Sequence, residues 1–135
     1  MEFTKEQIGN VRFCVGDAAE LLKDLPDSCV DTIYLNFSDP WKKKGQSKRR
    51  LTYITFLNMY SRLLVNGGKL CFKTDNRALF DFSLEQVEAS NFVLEYKTYD
   101  LHASEMNETN IQTEYERNFT EKGFKINMLI AKNKK

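Results

Sequence analysis

Residues 29–44 read Cys29-Val30-Asp31-Thr32-Ile33-Tyr34-Leu35-Asn36-Phe37-Ser38-Asp39-Pro40-Trp41-Lys42-Lys43-Lys44. The first nine are rich in β-branched and aromatic residues, the composition of a strand, and Ser38-Asp39-Pro40 closes them as a turn. On the N-terminal side, Val11-Arg12-Phe13-Cys14-Val15 alternates like a short strand that ends at Gly16-Asp17. Residues 18–25 then read as a brief helix, stopped by Pro26-Asp27. On the C-terminal side, Phe56, Leu57, Tyr60, Leu63 and Leu64 recur at helical spacing within residues 52–64. Asn66-Gly67-Gly68 supplies a left-handed stop for that helix. Residues 69–74 make a further strand and residues 76–90 a second long helix. Residues 92–99 and 124–131 close the chain as two strands with a long loop between them. Strand, helix, strand, helix, strand is the order of an open α/β sheet with mostly parallel strands. Ligands of such sheets sit beyond the carboxyl ends of the strands, and Asp17, Asp39 and Asp75 each follow a predicted strand at that end.

The chain's 135 residues suffice for one compact domain and not for two ordinary ones. With 41% hydrophobic and 29% charged residues it falls among water-soluble globular chains rather than disordered ones. No apolar run approaches the roughly 20 residues that span a bilayer, so no membrane is expected as a partner. Met1-Glu2-Phe3-Thr4-Lys5-Glu6 shows no basic region leading into an apolar stretch, and no signal peptide is read there. Cys14, Cys29 and Cys71 lie far apart, each in an apolar segment, which suits reduced, buried thiols better than a disulfide or a zinc site. A cytoplasmic location is the expectation that follows, with no metal. Net charge is only +1, but it is segregated. Lys42, Lys43, Lys44, Lys48, Arg49 and Arg50 make six of the nine residues from 42 to 50, with no acid among them. A local basic stripe in a nearly neutral chain points to a phosphate-facing patch.

Asn36-Phe37-Ser38-Asp39-Pro40-Trp41-Lys42-Lys43-Lys44, continuing to Lys48-Arg49-Arg50-Leu51-Thr52, resembles the signature of the tRNA guanine-N7 methyltransferase family. That signature is an Asp-Pro-Trp-Pro-Lys-Lys run followed by Lys-Arg-Arg. The resemblance continues in Phe72-Lys73-Thr74-Asp75-Asn76, in Asp100-Leu101-His102-Ala103-Ser104 and in Thr113-Glu114-Tyr115-Glu116, and so covers nearly the whole chain. Two departures fall in the basic loop: Lys42 replaces the proline after tryptophan, and Gly45 and Gln46 replace the Arg-His before Lys-Arg-Arg.

The resemblance implies an S-adenosylmethionine-dependent transfer of methyl to N7 of a variable-loop guanine in tRNA, with no metal. Guanine N7 needs no general base, since its lone pair is already an in-plane nucleophile. It needs orientation and a counter-charge for the cationic base that forms. A carboxylate accepting from the guanine N1–H and exocyclic amino group supplies both and leaves N7 open. The resemblance assigns this active-site role to Asp39, next to the methyl donor; alone, Asp-Pro at a strand end would be an ordinary turn. It makes Asp17 the acid that reads the adenine end of the donor, where the plain alternative is a helix N-cap. Lys43 and Asp75 match substrate-contacting positions; the alternatives are a solvated charge and an N-cap for the helix at Asn76. Thr113 and Glu116 match residues used near the donor and the target base, although Thr-x-x-Glu is also a capping box. Lys42, Lys44, Lys48, Arg49 and Arg50 are candidate RNA contacts, and Trp41 stacks on a base or pins the loop. His102, the single histidine, reads as structural.

Methyltransferases of this class open with a strand, a glycine-rich turn against the donor, and a second strand ending in an acid. None of Gly9, Gly16, Gly45, Gly67, Gly68 and Gly123 forms Gly-x-Gly. The expected fold is thus an incomplete Rossmann-like sheet spanning residues 1–135, a single partial domain from the third strand onward. It is mostly parallel with an antiparallel C-terminal strand, and the first two strands are absent. The strand near Cys29 would then show an unpaired apolar edge. A truncated chain of weak donor affinity, or a homodimer or partner chain covering that edge, is expected. The alternative functions are a non-catalytic tRNA-binding module, a subunit completed by another chain, or an ordinary interaction domain or inert pseudogene product whose basic run is a solvated face.

Overall fold

The computed structural model describes residues 9–135, apart from the side chain of Phe119. The stretch from Met1 to Glu6, read above for a signal peptide, lies outside the described residues. The strands are β1 (Val30–Asn36), β2 (Leu64–Thr74), β3 (Phe92–Thr98) and β4 (Asn127–Asn133). The helices are α1 (Ala18–Leu22), α2 (Ile54–Leu63), α3 (Arg77–Glu88) and α4 (Glu114–Glu121), with 3₁₀ turns at Lys44–Arg49, Leu101–Ala103 and Glu105–Thr109. The strands form one sheet in the order β1-β2-β4-β3. β1 runs parallel to β2, and β4 runs antiparallel to both β2 and β3. Three strands therefore point one way and only the C-terminal strand opposes them, as the sequence predicts.

Pleating sends Leu70, Phe72, Leu129 and Ala131 to one sheet face, where α2 and α3 cover them with Leu57, Tyr60, Leu79, Phe80 and Val87. Burying a side chain of this kind stabilises by roughly 1.5–3 kcal/mol. Two polar links tie the layers together. The hydroxyls of Thr52 and Ser83 meet at 2.6 Å between α3 and the lead-in to α2. The fully buried Asn133 amide donates to the carbonyls of Ser61, Leu64 and Val65, and its oxygen accepts from Ser61 Oγ at 2.7 Å. The opposite sheet face has a smaller cover: Leu101, Ile126 and Met128 with Phe37, Tyr96, Met106 and Ile130. On that face Tyr34 is 67% exposed.

Several expectations need correction. Residues 11–15 form no strand, and Phe13 and Val15 are exposed. An extended segment gains little without a neighbour to hydrogen-bond its backbone, and no described strand runs beside this one. Without that framework Cys14 is exposed, and Cys29 is exposed in the turn before β1, so these thiols are not buried as the apolar context suggested. Cys71 is half-buried, and burial first of all raises its thiol pKa, against the opposing pull of Lys69 and Lys73. α1 stops at Leu22 rather than at residue 25, and none of its residues is buried. Asn66-Gly67-Gly68 does not stop a helix: α2 ends at Leu63, and the chain passes straight into β2. There the register slips, with Val30 opposite Leu64 but Thr32 opposite Lys69. Gly67 takes the slip at φ +81°, and a Cβ on Gly68 would meet the carbonyl oxygens of Asp31 and Val65 at 3.0 Å. The expected open edge is present: among the described residues β1 has β2 as its single neighbour.

Candidate active site

β1 delivers Phe37, Ser38 and Asp39 to the carboxyl end of the sheet, and Phe37 N–H extends the pairing by donating to Lys73 O at 2.9 Å. The chain then turns sharply, with Phe37 at φ +56° and Trp41 at φ +44°. For bulky residues these are strained values, which the surroundings must hold in place. Asp39 accepts from Trp41 N–H at 2.9 Å, closing the turn. Arg50 holds the loop from the inside. Its Nε donates to Pro40 O at 3.0 Å, its Nη2 to Trp41 O at 3.2 Å, and its guanidinium lies over the Phe82 ring at 4.5 Å. These half-buried contacts make Arg50 a support for the loop. Arg49 lies 5.2 Å over the Trp41 ring.

α1 brings Asp17 to the same place. Its carboxylate caps the helix, accepting from Ala19 N–H at 2.8 Å, so the plain reading of this residue is correct as far as it goes. Yet Asp17, Asp39, Trp41, Lys48 and Arg49 together line one cavity of about 550 Å³, with Leu51 and Phe56 also in its wall. Two carboxylates, two cations and an indole thus converge from two segments, one at residue 17 and the other at residues 39–49. The volume is in the range of sites for drug-sized ligands. Asp39 is exposed, on the same side as the cationic loop. Lys42 lines a neighbouring cavity of about 310 Å³ with Pro40, Arg50 and Asn76. Lys43 and Lys44 are exposed at the start of the 3₁₀ turn, and Lys43 makes no capping bond through its side chain.

Asp75 is not an N-cap. Asn76 caps α3, accepting from Leu79 N–H at 2.8 Å. Asp75 instead accepts from the Tyr115 hydroxyl at 3.4 Å, and Tyr115 rests on Phe37 with ring centroids 4.7 Å apart. Partial burial, then the Asp75 charge, raises the pKa of the Tyr115 hydroxyl.

Glu116 lies elsewhere. Thr113 does cap α4, its Oγ1 accepting from Glu116 N–H at 3.1 Å, but the Glu116 side chain does not reach back to complete the box. It is fully buried. One oxygen meets Lys73 Nζ at 2.9 Å; the other meets His102 Nε2 at 2.6 Å and Asn110 Nδ2 at 2.8 Å. Lys73 also donates to Ile111 O at 3.0 Å. Thr120 Oγ1 donates to Glu116 O at 2.8 Å and lies 3.2 Å from His102 Nδ1. Burial alone would raise the Glu116 pKa; the bonds from His102, Lys73 and Asn110 together outweigh it and hold the carboxyl below its ordinary range. Glu116 is not among the residues that line the Asp39 cavity. Thr113 and Lys73 line a third cavity, of about 390 Å³, on the thinly covered sheet face beside Tyr34, Asn36 and Cys71.

Of the residues singled out from the sequence, the fold thus gathers Asp17, Asp39, Trp41, Lys48 and Arg49. It keeps Asp75 close through Tyr115 and Phe37, and sets Thr113 and Glu116 apart. The role of Lys73 escaped sequence reading, although a lysine inside Leu70-Cys71-Phe72-Lys73-Thr74 was its signal: a buried cation needs a paired acid. Among the described residues no cluster of His, Cys, Asp and Glu could hold a metal, and no helix is long and apolar enough to cross a membrane.

A family model described as "Putative methyltransferase" matches residues 1–129. The chain is 52% identical over 122 residues to a tRNA (guanine-N(7)-)-methyltransferase of Lachnoclostridium phytofermentans, covering 90% of this chain and 57% of the relative. It is 46% identical over 127 residues to the protein of that name from Pediococcus pentosaceus, covering 94% and 60%. The chain thus spans rather less than two thirds of the length of these curated relatives. Among solved structures it resembles a SAM-dependent methyltransferase from Archaeoglobus fulgidus, with a TM-score of 0.55 at 16% identity, over 92% of this chain and 68% of that one. It also resembles the [4+2]-cyclase SpnF, with a TM-score of 0.53 at 14% identity, over 90% and 56%. At these identities the likeness concerns the fold, and it matches an α/β sheet of the kind found in S-adenosylmethionine-dependent methyltransferases. With nearly its whole length matched, the chain belongs to this methyltransferase family.

Proposed function

We propose that this chain carries the guanine-holding and tRNA-facing part of a tRNA guanine-N7 methyltransferase acting in the cytoplasm. The observation that carries the reading is the single cavity shared by Asp17, Asp39, Trp41, Lys48 and Arg49. Asp39 is exposed there, and its bond to Trp41 N–H uses Oδ1, so the carboxylate keeps lone pairs for the guanine N1–H and amino group. Lys43, Lys48 and Arg49 supply phosphate attraction at the rim, and Trp41, already turned into the cavity, offers a stacking face to a base drawn out of the tRNA.

The same cavity suits the adenine end of S-adenosylmethionine. Asp17 spends one oxygen on its cap and lines the cavity together with apolar Leu51 and Phe56. When bound, that donor supplies an electrophilic methyl group on a sulfonium. Asp39 fixes the purine plane so that N7 faces it, and its negative charge offsets the positive charge the base acquires. Asp75, which accepts from the Tyr115 hydroxyl, is assigned to substrate, as is Thr113 from the separate cavity it lines. The family also places Glu116 beside substrate; its burial among Lys73, His102 and Asn110 supports a positioning role instead.

Methyl transfer to a tRNA transcript, with the chain in excess and 7-methylguanine read by mass spectrometry, tests this. Slow product confined to a variable-loop guanine, and lost in Asp39→Ala, is expected. Undiminished product from Asp39→Ala would overturn the assignment. A second reading is favoured by the open edge of β1: a tRNA-binding module or subunit that a second copy or another chain completes along that strand. It predicts tRNA retention with no product from the chain alone, and no more than weak heat of binding when S-adenosylmethionine is titrated in.

A further inference from the structure

The basic loop does not end the cationic surface. The cavity that holds Lys42 is lined also by Asn76 and Ala78, the residues on either side of Arg77. Arg77 opens α3, and its guanidinium lies 3.8 Å over the Tyr99 ring. Lys97 Nζ approaches the same ring at 5.8 Å, and Tyr99 itself rests edge-on against the buried Phe80, centroids 5.5 Å apart. Arg77 is 59% exposed and its Nε is paired with Asp81 at 3.0 Å, a contact made through Nε and not through a terminal amino group. An exposed ion pair of this sort contributes less than about 1 kcal/mol and yields to a phosphate. Lys97 has no ion pair among the described residues. Beyond Lys97 the character reverses, since it shares a shallow depression with Glu85 and Glu88.

We propose that Arg77, Tyr99 and Lys97 form a second RNA-contacting patch, continuous with the basic loop through Lys42 and bounded by Glu85 and Glu88. The combination is specific in kind. An arginine and a lysine meet on one tyrosine anchored from behind, so phosphate attraction and a flat aromatic surface are held at fixed separation. A folded RNA, whose backbone passes along the loop and then over the start of α3, fits this surface. A ligand confined to the Asp39 cavity has no use for it. The proposal rests on the reading that the loop binds tRNA, and extends it to residues outside the Asp39 cavity.

Fluorescence anisotropy of a labelled tRNA transcript, measured with the full chain across a salt series, tests it. Arg77→Glu with Lys97→Glu is expected to weaken binding at least tenfold at low salt. The slope of log affinity against log salt should fall by about one for each phosphate that the variant no longer neutralises. Arg77→Gln and Tyr99→Ala, milder changes, should each weaken binding a fewfold, with Tyr99→Phe unchanged. Lys43→Glu with Lys48→Glu serves as the reference. If the loop variants lose affinity while the Arg77 and Lys97 variants bind as the unaltered chain does, the patch is refuted and the loop reading stands. If the unaltered chain fails to bind tRNA at low salt, both fall.

Discussion

Asp39 and Glu116 are both acids that sequence reasoning placed near substrate, yet the fold treats them in opposite ways. Asp39 is exposed, makes one backbone hydrogen bond, and shares its cavity with cations it does not touch. Glu116 is fully buried and bonded to Lys73, His102 and Asn110. A carboxylate with unspent lone pairs beside a cavity can take a ligand. One whose partners come from β2, the Leu101–Ala103 turn and the lead-in to α4 fastens those segments together. The contrast teaches that a buried, fully satisfied acid is a poor candidate for direct chemistry, however well its motif matches. Such an acid can still fix where the neighbouring segment sits.

The largest effect that could break this contrast is on stability. Glu116→Ala strands the Lys73 cation in the interior and should lower the unfolding free energy by about 3–5 kcal/mol, read from urea denaturation. A loss under 1 kcal/mol would remove Glu116 from its structural role. Acid should act the same way more gradually. The folded Glu116 carboxyl titrates below its unfolded value. Its stabilisation is therefore complete above the ordinary carboxylate pKa, and is lost as pH falls through that value and then through the lower folded one. Urea midpoints followed from pH 7 to pH 3 should drop less steeply for Glu116→Gln than for the unaltered chain. Arg50→Lys, which gives up the forked contact to Pro40 O and Trp41 O, should cost about 1 kcal/mol and change the fluorescence of Trp41, the chain's one tryptophan. Smallest of all in stability is Asp39→Ala: under about 1 kcal/mol by the same denaturation, with methyl transfer abolished.

Much of this was legible in the chain. The β-branched and aromatic composition of residues 29–37 and the helical spacing from Phe56 to Leu64 are local signals, and both elements form. The pairing of Asp39 with the basic loop is legible too, because the residues adjoin. What failed depended on neighbours. Residues 11–15 have a strand's pattern but no described strand to pair with, and Cys14 is exposed with them. Gly67 and Gly68 looked like the end of a helix because left-handed and close-approach positions look alike in sequence; here they serve a bulge in β2. Asp75 and Asn76 are both good caps, and only the geometry of α3 decides between them. Lys73 and Glu116 lie 43 residues apart, so no local pattern could announce their bond.

Titrating the isotope-labelled chain with guanosine monophosphate, followed by two-dimensional NMR, tests the central claim most directly. Shifts confined to the Asp39 amide, the Trp41 indole and residues lining their cavity, with Glu116 and His102 unmoved, are the expected result. Shifts centred on Glu116 and His102, with Asp39 silent, would contradict it.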